Sequence, residues 1–149
     1  MILDQIQTDL NAAMKSRDQV RVDTLRFLLG AVRSLEIEKY PPGSEKSLND
    51  EDVLSVLSKQ VKSHKESIEM FDKGNRPELV EKETVQLQIL ESYLPEQMSE
   101  EEIRSKVQGL RSKNPDADFP FMIKLVMGEM RGKADGAVVS RLLRDIMSS

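Results

Sequence analysis

The sequence has no cysteine, no tryptophan and a single histidine. Without thiols it forms no disulfide, presents no thiol nucleophile and offers no thiolate to a metal. One imidazole excludes most zinc sites and most acid–base chemistry that relies on histidine. Long apolar runs are missing as well. The longest candidate near the start, residues 1–10, is interrupted by Asp4, Gln5, Gln7 and Asp9. It therefore reads as neither a signal peptide nor a bilayer span, which needs roughly 20 apolar residues. These absences predict a cytoplasmic protein with no membrane partner, no metal and no cofactor.

What is present is charged and helix-forming. The 149 residues are 32% charged and 38% apolar, with a mean hydropathy of −0.46. That is enough to bury a core in one ordinary domain or two small ones. Lys and Arg number 22 against 26 Asp and Glu, and the sequence pI is about 5.2, so the molecule as a whole is not a strongly cationic nucleic-acid binder. The imbalance is uneven. Residues 96–149 carry nine basic and nine acidic side chains, and the acidic excess lies entirely before them. A polyanion would meet the C-terminal third.

Apolar spacing is helical from end to end, with no convincing strand alternation. Ile2, Leu3, Ile6, Leu10, Ala13 and Met14 form a first stripe, and Asp18 can cap a second helix carrying Leu25, Leu28, Leu29, Val32 and Leu35. Tyr40-Pro41-Pro42-Gly43-Ser44 breaks the pattern. A third helix is capped by Ser47 or Asn49 and has acids at 50–52 in its first turn, where the dipole favours them. Leu54, Leu57, Val61, His64, Ile68 and Phe71 then follow at spacings of three and four, a heptad seam for lengthwise packing. Lys73-Gly74-Asn75 ends it, and Pro77 opens a fourth helix with Leu79, Val80, Leu87, Leu90 and Leu94.

Pro95 to Ser99 marks a boundary. Ser99 and Glu102 have the spacing of a capping box ahead of Ile103, Val107 and Leu110. Asn114-Pro115-Asp116 reads as a turn. Asp118 caps a helix containing Met122, Leu125, Val126 and Met130, Gly132 ends it, and Asp135 caps a last helix with Val138, Val139, Leu142, Leu143 and Ile146. The expectation is an all-α protein: a bundle of about four helices over 1–95, then a three-helix domain over 96–149.

The reactive-looking residues have ordinary explanations. His64 falls on the apolar seam without a nucleophile or ligand cluster beside it, so it reads as a partly buried, hydrogen-bonded core histidine. Gly128 to Ala134 imitates a phosphate loop, but it has three residues between the glycines instead of four, and Ala134 stands where Ser or Thr would hold Mg²⁺. No catalytic residue is assigned.

The C-terminal helix pair offers more. On a helical wheel Lys124, Gly128 and Arg131 share a narrow stripe free of apolar side chains. Arg141 and Arg144 lie one turn apart on the last helix, and Lys133 sits in the intervening Gly132-Lys133-Ala134-Asp135-Gly136 turn. Two readings stay open: a patch that binds anions at a glycine-rich corner, or close packing and helix capping, with the cations balanced by Glu129, Asp135 and Asp145. The first makes Lys124, Arg131, Lys133, Arg141 and Arg144 candidate nucleic-acid-binding residues.

Two strings carry a family resemblance. Leu-Glu-Ser-Tyr-Leu-Pro-Glu-Gln at 90–97, continuing into Ser99-Glu100-Glu101-Glu102-Ile103, resembles the YqeY-like family. So does Val126-Met127-Gly128-Glu129-Met130 running into Gly132-Lys133-Ala134-Asp135-Gly136, with Asp-Leu-x-x-Ala-Met-Lys at 9–15 adding to it. The motif positions are Gly128, Gly132, Lys133, Ala134, Asp135 and Gly136. That family is similar in its C-terminal part to the tail of the B subunit of tRNA-dependent amidotransferase, a carbon–nitrogen ligase that takes its amide nitrogen from glutamine. In the larger enzyme the tail engages tRNA and a separate cradle performs the activation chemistry. The resemblance implies a tRNA-associated accessory protein that lacks the cradle. The alternative is a helical protein–protein adaptor or homo-oligomer using the heptad face, with no nucleic-acid role.

Overall fold

The computed structural model describes residues 1–148. They form seven α-helices and no strand: α1 Ile2–Ser16, α2 Gln19–Lys39, α3 Asp50–Lys73, α4 Pro77–Glu91, α5 Glu100–Lys113, α6 Phe119–Glu129 and α7 Gly136–Ser148. The fold is all-α. It separates into two compact units, one from Met1 to Leu94 and one from Pro95 onward.

Helix starts follow from side chains that meet otherwise orphaned backbone N–H groups. Asp18 accepts from the Arg21 N–H, Ser99 from that of Glu102, Asp118 from that of Phe121 and Asp135 from that of Ala137. Ser99 caps in one direction only, short of the reciprocal box its spacing suggests. The reciprocal box forms at α3 instead. Asn49 Oδ1 accepts from the Asp52 N–H at 3.0 Å, and Asp52 Oδ2 accepts from the Asn49 N–H at 3.1 Å.

In the N-terminal unit α3 lies along α4, and α1 and α2 complete the bundle. Ile6, Leu25, Leu28, Val53, Leu57 and Leu90 are fully buried at its centre. The buried face of α3 is Val53, Val56, Leu57 and Val61, whereas Leu54 and the distal seam residues His64, Ile68 and Phe71 are only half-buried. A helix turning every 3.6 residues drifts away from a strict 3.5-residue seam, so the core follows the helix and the far end of the seam rolls outward.

Asp52 is the one charged side chain in this core, 3% exposed. The Lys39 ammonium donates to Oδ1 at 2.6 Å and the Tyr40 hydroxyl to Oδ2 at 2.8 Å. Burial works to raise its pKa, but these hydrogen bonds and that of the Asn49 amide together hold the carboxyl below its ordinary value of 3.8. The same contact pushes the Tyr40 and Lys39 pKa values up. At the far end of the unit the Tyr93 hydroxyl donates to Asp9 Oδ2 at 2.5 Å, tying the end of α4 to α1. Burial, then the neighbouring Asp9, raises the Tyr93 pKa.

The Asp52 node should show in an acid titration of stability. Its folded pKa is depressed, so its contribution is present above 3.8 and lost as pH falls through the folded value. Replacing Asp52 with Asn is expected to cost about 2–3 kcal/mol near neutrality. In urea melts across pH, the gap between wild type and Asp52→Asn should narrow below 3.8. A gap that does not change with pH would exclude the role.

Candidate nucleic-acid interface

The C-terminal unit is built around Ile103, Val107, Met122, Val126, Met130, Val139, Leu142 and Leu143, with α7 packed against both α5 and α6. Arg111 closes the α5–α6 loop, its guanidinium donating to the carbonyls of Asn114 and Ala117. The α6–α7 corner is closed from outside. The Gln97 side-chain amide donates to the carbonyls of Gly132 and Pro95, both at 2.8 Å, and the Met98 N–H donates to the Lys133 carbonyl at 2.8 Å. The two strings that carry the family resemblance are thus hydrogen-bonded to each other.

Four of the motif positions have a physical reason that the fold shows. Gly132 has φ +78°, in the left-handed region that favours glycine. Asp135 caps α7. A Cβ on Gly136 would lie 2.8 Å from the Met127 methyl. Ala134 is half-buried and packs on the core. Gly128 is exposed, and a Cβ there would meet nothing within 4 Å. It is therefore not a point of close helix approach, and the recurrence of glycine every four residues has no common cause.

All five candidate cations are exposed, and those whose partners are seen are held by different groups. Arg141 donates to Glu100 Oε1 at 2.9 Å, at the start of α5, and Arg104 approaches the same oxygen at 3.9 Å. Arg144 lies over the Phe119 ring, 5.5 Å from its centroid, at the start of α6. Phe119 is on the core side of α6, and Lys124 is roughly 140° around that helix from it. Arg131 and Lys133 stand in the corner at the opposite end of α6, an 11-residue helix and so about 16 Å long. Lys124 and Lys133 make no ion pair among the described residues. Arg104, which sequence reasoning passed over, is part of this surface. Its spacing of four from Glu100 was the available signal. Lys106 lies 3.8 Å from Glu129, so Glu129 balances α5, not the corner.

His64 is half-buried and its Nδ1 meets Glu83 Oε2, the hydrogen-bonded setting expected of it. Among the described residues, no group of three or more His, Asp or Glu is placed to hold a metal ion, and no helix is long and apolar enough to cross a membrane.

The architecture is that of an all-α protein whose C-terminal helical unit is clasped by a Leu-Pro-Glu-Gln strap. The family profile described as Yqey-like protein matches residues 3–147, and the chain belongs to that family. It is similar to altered inheritance of mitochondria protein 41, mitochondrial, of Pyrenophora tritici-repentis, with 28% identity over all of this chain and 82% of that protein. The Lachancea thermotolerans protein of the same name is 33% identical over 81% of this chain and 66% of its own length. An uncharacterized Schizosaccharomyces pombe protein is 40% identical over 63% of this chain and 72% of its own. These names overturn the cytoplasmic address read from composition, since two of these relatives are named as mitochondrial. Missing cysteines and apolar spans speak to redox chemistry and bilayers, and do not distinguish one aqueous compartment from another.

The glycines separate the reasons cleanly. Gly132→Ala is expected to destabilise the C-terminal unit by about 1–2 kcal/mol, because L-residues strain at that φ. Gly128→Ala should be neutral or stabilising by about 0.5–1 kcal/mol, as alanine is the better helix former. Thermal melts of the two variants check both, and equal losses would refute the assignment.

Proposed function

We infer that this Yqey-like protein is a tRNA-associated accessory protein whose C-terminal unit holds RNA by its phosphate backbone. It would serve a glutamine-dependent carbon–nitrogen ligase as a companion, in keeping with the resemblance to the amidotransferase tail. The observation that carries the reading is the exposure of Lys124 and Lys133 without an ion pair among the described residues. The surroundings of each cation favour some of them over others for this role. Arg141 is engaged with Glu100, so its charge is already shared, whereas Arg144 is held by a ring face and keeps its full charge. Cations spaced along the α6–α7 pair suit successive phosphates along a strand better than one anion in a pocket. Such contacts fix position on a backbone and carry no base sequence.

Binding of tRNA measured at several salt concentrations tests this. With two or three contacts the wild-type log–log slope should be roughly −2 to −3, at about −0.9 per phosphate of duplex. Lys124→Glu/Lys133→Glu should weaken binding at least about tenfold and flatten the slope by nearly 2. Arg141→Gln should change affinity little. Equal tRNA binding by wild type and the double variant at every salt concentration would sink the reading. A protein partner retained through nuclease and high salt would favour the adaptor instead.

A further inference from the structure

Helix α2 is apolar on two sides, and the bundle covers one of them. Val22, Leu25, Leu28 and Val32 are buried, whereas Val20, Phe27 and Ile37 lie on the opposite side, 41%, 70% and 71% exposed. Gly30 is on that outer side too. A glycine in the middle of a helix weakens it, and a Cβ there would meet nothing within 4 Å. Packing inside the molecule does not call for it. The open space suits the close approach of another surface.

Beside Phe27 runs an open groove of about 340 Å³ between α2 and α4, lined also by Gln60 and His64 of α3. About 150 Å³ is enough to hold a benzene-sized ring, so a phenyl group and its stem have room there. Asp23 lines the groove from α2 and Lys82 from α4. Both are exposed, and neither forms an ion pair among the described residues. Asp23 Oδ1 accepts from the uncharged Gln19 amide at 2.7 Å, which leaves its charge unmatched. One face thus carries an aromatic knob, a groove wide enough for it, and a charge of each sign. A surface holding both members of each complementary pair is what an isologous dimer requires.

We propose that this face binds a second copy of the chain, the two α2 helices running antiparallel across a two-fold axis beside Asp23 and Phe27. Each Phe27 ring enters the other copy's groove, and each Asp23 carboxylate reaches the other copy's Lys82. Each Val20 packs on the other copy's Gly30. The spacing along α2 permits these contacts together, because Val20 and Gly30 are equally distant from the midpoint of Asp23 and Phe27. Each charge pair occurs twice, which selects this register over shifted ones. The surface is not the heptad side of α3, whose Leu57 and Val61 are buried in the core. Few helices take part, so association is reversible and depends on concentration.

Sedimentation equilibrium of the full chain without RNA, from micromolar to millimolar concentration, is expected to show monomer and dimer in exchange. Phe27→Ala should weaken association at least about thirtyfold, as at the centre of an interface. Its ring is exposed in one copy, so its removal does not open the core. Asp23→Lys and Lys82→Glu should each weaken association at least about tenfold, since like charges then face each other. An equimolar mixture of these two variants should associate again, because both charge pairs in the mixed dimer are opposite. The double variant Asp23→Lys/Lys82→Glu should return to within about threefold of wild type. Recovery on mixing also shows that both variants fold. A chain monomeric throughout, a dimer indifferent to Phe27→Ala, or charge variants that neither mixing nor combination restores would overturn the proposal.

Discussion

One side-chain amide holds the corner on which the C-terminal unit turns. Helix α6 ends at Glu129, the turn beyond it puts Gly132 in a left-handed conformation, and a chain that reverses this sharply exposes carbonyls its helix can no longer satisfy. Gln97 donates both amide hydrogens, one to Gly132 and one to Pro95, and the next residue's N–H takes the Lys133 carbonyl. Two successive carbonyls of the corner are thereby satisfied by a strap remote in sequence. The strap holds Lys133 at the surface, and Asp135 starts α7 immediately beyond it. Leu-Pro-Glu-Gln and Gly-Lys-Ala-Asp-Gly are therefore two halves of one hydrogen-bonded device.

The N-terminal unit solves the same problem with charge. Its helices bury aliphatic stripes, which supply most of the driving force but little directional information. Direction comes from polar groups at the ends. Asp52 gathers Lys39, Tyr40 and the Asn49 amide, and so fixes where α2 stops and α3 begins. Tyr93 reaches Asp9 across 84 residues of sequence. Both contacts lie between positions that amphipathic periodicity treats as exposed or as ordinary dipole partners.

Much of the fold was legible in the sequence because capping and proline chemistry are local. Asp18, Asn49, Ser99, Asp118 and Asp135 each act within three residues of themselves, so spacing reveals them. The candidate site was less legible. Wheel geometry placed Arg141 on an outward face, where it is, but a wheel cannot see Glu100 arriving from another helix 41 residues earlier. Nor can it see the Phe119 ring beneath Arg144. Asp52 was read as one of three acids serving the helix dipole, because its burial depends on Lys39 and Tyr40 folding back over it.

Sequence alone determined the helical class, the breaks between helices and the family, since each rests on residue type and short spacing. Tertiary structure decided which cations are already engaged and which glycine holds a conformation that would strain any other residue. Those properties belong to pairs of residues far apart in the chain, and the energy of a charge or a buried amide depends on what faces it.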